Sequence, residues 1–73
     1  RCKGCGMSFR ERYGQIALGF IEVHHVVPVS KMNPGYLVDP ARDLVPLCSN
    51  CHSVVHRVDP PLSIGALRQI IKI

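Results

Sequence analysis

Two C-x-x-C pairs, Cys2 with Cys5 and Cys48 with Cys51, set the strongest constraint on this chain. The two-residue spacer lets both sulfurs of a pair turn toward one ion. Two such knuckles complete a tetrahedral four-thiolate zinc site. Gly4 and Gly6 supply the backbone freedom that the first knuckle needs. More than half of the chain lies between the pairs, which exceeds the gap of a short zinc ribbon, so the segment between them is expected to form structure of its own. Disulfides are the competing reading, but no secretory context supports them. A redox C-x-x-C belongs in a thioredoxin-like βαβ unit, and 73 residues cannot supply that twice.

Size explains why such a cross-link matters. A chain of 73 residues buries only roughly 60% of its unfolded surface, and two Phe, two Tyr and no Trp leave few large side chains for a core. An apolar fraction of 47% still argues against disorder. A chain of this kind depends on a metal or a disulfide to stay folded, and zinc would couple its folding to the ion. No apolar run is long enough for a membrane span, and no leader peptide is visible, so a cytoplasmic protein with no membrane partner is expected. The first residue is Arg1, which suggests one domain over 1–73 cut from a longer protein with further domains. The formal net charge is +4. Zinc on four thiolates lowers it and a second dication on neutral ligands restores it. The sign stays positive, as a polyanionic partner would prefer.

Along the chain, residues 8–13 read as a short helix capped by Ser8 and stopped by Gly14. Residues 20–27 are rich in β-branched and aromatic types and read as a strand ended by Pro28. Residues 28–42, with Pro28, Pro34, Gly35 and Pro40, read as a loop. Residues 44–47 form a second short strand, held to an edge or bulge by Pro46. Ser49 caps a helix from 50 to about 57, and Asp59-Pro60-Pro61 breaks it. Ser63 caps a last helix to about 71, with Ile64, Leu67, Ile70 and Ile71 on its buried face.

Histidines supply the second set of chemical groups. His52 and His56 are four apart in the expected helix, so both rings project from one face and can hold one ion. A third ligand from the hairpin would give a three-His site with open positions, which can act chemically where a closed four-ligand site cannot. His24 and His25 are adjacent in the strand and point to opposite sides. One is expected to coordinate; the other, free and neutral, would suit a general base near pH 7. The plainer alternatives are surface histidines or an ordinary second zinc site.

The run E-V-H-H over 22–25, Asp39-Pro40, D-L-V-P-L-C-S-N-C-H over 43–52, and then His56 resemble the HNH endonuclease motif, most of all the zinc-bearing HNH domains of bacterial restriction-type enzymes. The resemblance covers residues 2–57. It implies an α+β chain with the small ββα-metal (His-Me finger) fold, here joined to a four-cysteine zinc knuckle pair and a C-terminal helix. The residue order read from local signals is the same.

That resemblance implies a metal-dependent endonuclease that hydrolyses DNA phosphodiester bonds and leaves 3′-hydroxyl and 5′-phosphate ends. It maps His24, His52 and His56 to ligands of a catalytic divalent ion and His25 to the general base. Cys2, Cys5, Cys48 and Cys51 hold structural zinc. The central motif position, often Asn in the family, is Asp43 here and steadies the loop that aims the base; its charge would raise the basicity of His25 if the two are close. Glu22 shares a strand face with His24 and is a candidate to hydrogen-bond a ligand or a metal-bound water. Arg57, Arg42 and Lys31 are candidate phosphate contacts. Imidazole ligands favour zinc, nickel, cobalt or manganese, whereas relatives also work with magnesium. A duplex break by a one-site domain calls for two copies, so a homodimer is a candidate assembly. The alternative function is a non-catalytic zinc module that binds nucleic acid or protein.

Overall fold

Ser8 opens the first helix, α1 (Phe9–Tyr13), by accepting the Glu11 N–H, and Gly14 closes it. Both ends are as the sequence predicts. In the computed structural model, which describes residues 1–27 and 33–72, a 3-10 turn over Gln15–Ala17 follows and leads into strand β1 (Glu22–His25). Helix α2 (Pro40–Asp43), strand β2 (Leu44–Leu47), helix α3 (Ser49–Val55) and helix α4 (Ile64–Ile70) complete the order. Among the described residues, no helix is long and apolar enough to cross a membrane.

β1 and β2 pair antiparallel, with Glu22 opposite Leu47, Val23 opposite Pro46, His24 opposite Val45 and His25 opposite Leu44. The ladder is shorter than the 20–27 expected for the first strand. β2 offers only four residues, because α2 ends at its start and the second knuckle begins at its end. Pro46 cannot donate to a ladder, but its carbonyl accepts the Lys3 N–H at 2.9 Å and docks the first knuckle against β2.

Two helix starts differ from the sequence expectation. α2 occupies a stretch expected to be loop: Asp39 caps it by accepting the Ala41 N–H at 3.1 Å, and Pro40 sits in its first turn. Asp-Pro therefore acts here as a cap followed by a pre-set helical φ. α3 begins one residue early, with Cys48 in place of Ser49 as its cap; the Cys48 sulfur accepts the Cys51 N–H at 3.4 Å. For α4 the expected cap holds, Ser63 accepting the Ala66 N–H at 3.1 Å.

The core joins Leu47, Val55 and Leu67 to Cys2, Cys48 and Cys51, with Met7, Phe9, Ile21, Ile64 and Ile71 packed around it. Sulfur thus replaces much of the hydrocarbon that a larger domain would bury. Ile70, expected on the buried face of α4, is exposed instead. At about 100° per residue it lies on the opposite flank of Leu67 from Ile64 and Ile71. Gly4 sits so close to this core that a Cβ there would lie 2.7 Å from Leu67 Cδ2 and 3.1 Å from Cys51 Sγ. Gly6, at φ 79°, takes the left-handed conformation that turns the knuckle back.

Candidate active site

The four cysteine sulfurs converge, all lying within 4.8 Å of one another. Cys5 Sγ and Cys48 Sγ are 3.9 Å apart; the edge of a tetrahedron with Zn–S bonds of about 2.3 Å is about 3.8 Å. Backbone N–H groups of Gly4 and Cys5 point at Cys2 Sγ from 3.3 and 3.5 Å, each knuckle donating to its own leading sulfur. Burial pushes the Cys48 and Cys51 thiols up. It pushes Cys2 the same way, but the N–H groups of Cys48, Cys5 and Gly4 outweigh it and bring that thiol down to about 6. Sulfurs this close cannot all ionise without a cation between them. A dication at the centre removes that conflict, so the donor set fits zinc.

The second convergence is of imidazoles. β1 supplies His24 and α3 supplies His52, while His56 follows as the C-cap of α3. Each of the three offers a ring nitrogen within 4.8 Å of the others. The ring centroids are 5.0 to 5.3 Å apart, edge to face. His52 Nδ1 lies 2.8 Å from Glu22 Oε1. An ionised carboxylate only accepts, so Nδ1 carries a hydrogen, which in the neutral ring leaves the lone pair on Nε2. His24 is buried at 3% exposure, and its Nδ1 has no hydrogen-bond partner. A buried polar atom without a partner is costly, and a cation coordinated by that nitrogen would remove the cost. Burial pushes the His24 pKa below its ordinary value, helped by His56, His52 and His25, which disfavours the charged ring, as a metal ligand requires. Both convergent sets fit divalent metal ions.

His25 stands outside the three-His group, half-buried at the end of β1 and opposite Leu44. Asp43, 4% exposed, ends α2. Its carboxylate accepts the Tyr36 O–H at 2.9 Å and the Asp39 N–H at 2.8 Å. Those donors, Asp39 first, hold its pKa below the usual carboxylate range. The resemblance implies that the Asp43 charge would raise the basicity of His25 if the two are close; here the carboxylate accepts from Tyr36 and Asp39, and the Asp43 backbone carbonyl accepts the Val26 N–H of the strand exit at 2.8 Å. Tyr36 is the residue that sequence reasoning missed. Its only local context is the N-P-G-Y turn, which carries no sign of a carboxylate partner. Arg42 is exposed beside Asp43, its Nε 3.6 Å from a carboxylate oxygen, and Arg57 is exposed just past α3. Lys31 lies outside the described residues.

Compared with known families, residues 2–57 match the family model described as HNH endonuclease. No curated protein matches the chain, and no solved structure does.

Proposed function

Because this chain belongs to the HNH endonuclease family, we propose that it is a metal-dependent DNA endonuclease, with residues 1–73 forming the cleavage domain of a restriction-type enzyme. His24, His52 and His56 would hold the catalytic divalent ion, and the four cysteines a structural zinc. The observation that carries the reading is the split between adjacent histidines: His24 is buried in the three-ring cluster with an unpartnered Nδ1, while His25 stands outside it.

In its neutral form the His25 imidazole accepts a proton from the water that attacks phosphorus, which makes it the general base. Glu22 holds the His52 ring in one tautomer through Nδ1. Asp43 anchors the backbone just beyond His25. Arg57 and Arg42 would meet phosphates of the DNA, with Lys31 a third candidate. When bound, the divalent ion supplies Lewis-acid stabilisation of charge on the scissile phosphate and the leaving oxygen.

Plasmid nicking with added Mn²⁺ or Mg²⁺ tests this reading. His25→Ala is expected to keep the fold and its zinc but lower the cleavage rate by about 10²–10⁴-fold. Cleavage at the parent rate would refute the base assignment. A folded, zinc-loaded parent that nicks with neither ion would favour a non-catalytic zinc module.

A further inference from the structure

We propose that Tyr36 is a positioning residue for the general base, acting through Asp43 on the backbone that carries His25. This inference rests on the reading of His25 given above. No sequence motif assigns Tyr36 a role, and it is distant from His25 in the chain.

The connection is a continuous set of hydrogen bonds. The Tyr36 hydroxyl donates to Asp43 Oδ2 at 2.9 Å, and the Asp39 N–H donates to the same oxygen at 2.8 Å. The Asp43 N–H returns to the Asp39 carbonyl at 2.7 Å, closing the single turn of α2. The Asp43 carbonyl then accepts the Val26 N–H at 2.8 Å. Tyr36 is itself fixed by a turn in which its N–H donates to the Asn33 carbonyl at 2.9 Å.

His25 is the last paired residue of β1 and Val26 is the next. One step past the Leu44 pair and in the same register, the Val26–Asp43 bond restrains the chain on the far side of His25. α2 has four residues and cannot hold its shape by propensity alone. Its rigidity comes from the buried Asp43 side chain, which needs both donors. Hydrogen bonds to an ionised group are about twice as strong as neutral ones. Removing the Tyr36 hydroxyl leaves Asp43 Oδ2 with the Asp39 N–H alone, Arg42 lying 3.6 Å from the other oxygen, and loosens α2, and with it the aim of the base. The hydroxyl touches neither DNA nor ion in this scheme, so its loss should act on turnover and not on binding.

Tyr36→Phe, Asp43→Ala and the double variant are to be compared in steady-state cleavage, with His25→Ala as the reference. Tyr36→Phe is expected to lower kcat about tenfold while KM for DNA stays within about twofold. Asp43→Ala should lower kcat further, and the double variant should match Asp43→Ala within about twofold, because both act through one link. Independently of cleavage, exchange of the Val26 amide hydrogen should speed up about tenfold in Tyr36→Phe, with the amides of Val55 and Leu67 unchanged. The inference is overturned by unchanged kcat, by a change confined to KM, by multiplicative effects in the double variant, or by parent-like exchange at Val26. If His25→Ala cleaves like the parent, the function reading fails; the exchange measurement still decides whether Tyr36 holds the strand exit.

Discussion

Glu22 and His52 meet across the space between β1 and α3, carboxylate oxygen to Nδ1 at 2.8 Å. The contact ties the one ring of the imidazole cluster that lies within the span of α3 to the strand that carries His24. Glu22→Ala is expected to weaken divalent-ion binding at the imidazole cluster by about 10–100-fold. Glu22→Gln, which keeps an acceptor for the Nδ1 hydrogen, should lose less. Calorimetric titration of the zinc-loaded protein with Mn²⁺ measures both, and equal affinity for all three proteins would show that the carboxylate does not orient the ring.

Cys48 has two roles, as a sulfur of the first convergent set and as the side-chain cap of α3. Structural zinc contributes on the order of 10–16 kcal/mol to folding in small metal domains, as much as or more than the whole stability of a typical domain at about 5–15 kcal/mol. Cys48→Ser is therefore expected to abolish the cooperative thermal transition, and a strong chelator should do the same to the parent. A melt at the parent temperature in the variant would refute the four-thiolate site.

Gly4 lies where a side chain has no room, against Leu67 Cδ2 and Cys51 Sγ. Neither neighbour yields easily, since Leu67 and Cys51 are both buried in the core. Gly4→Ala should cost about 1–3 kcal/mol. Combining it with Leu67→Ala should cost less than the two single changes added together, because the new methyl enters the space that leucine leaves. Denaturant titration of the three variants reads the coupling, and strict additivity would contradict the close approach.

Asp43 supplies a pH dependence whose sign is fixed. Its donors hold the folded pKa below the ordinary value, so the folded chain binds fewer protons than the unfolded chain in that range. The stabilisation is fully present above the unfolded carboxyl pKa of about 3.9 and is lost as pH falls through the folded value. Asp43→Asn should be less stable than the parent at pH 6, and the gap should close below about pH 4. Unfolding midpoints in denaturant from pH 7 down to the pH at which the parent releases its zinc provide the check; a gap that widens on acidification would reverse the argument.

The parts of this structure that were legible in the sequence are those whose signals are local. The C-x-x-C spacings, the Ser8 and Ser63 caps and the alternation that separates His24 from His25 each depend on residues within a turn of one another. Pairing of Leu44–Leu47 with β1 follows from two short β-rich runs. What stayed hidden depends on contacts that leave no periodic trace. The Tyr36–Asp43 bond spans a turn and a helical cap, and Asp39-Pro40 reads as loop until its neighbours are placed. Ile70 shows the limit of periodicity: the pattern permits burial on either flank of Leu67, but this small core covers only one.

Cys51 and His52 are consecutive residues of α3, so a single seven-residue helix belongs to both clusters. A helix that short does not persist alone in water; the sulfur end anchors it and the imidazole end inherits its pose. Were the sulfur set to take zinc and the imidazole set a second ion, as proposed, the first would have to be seated before the second could be gripped. On that reading, a chain made without zinc would lack an ordered imidazole cluster, and manganese or magnesium added later would find no site to fill.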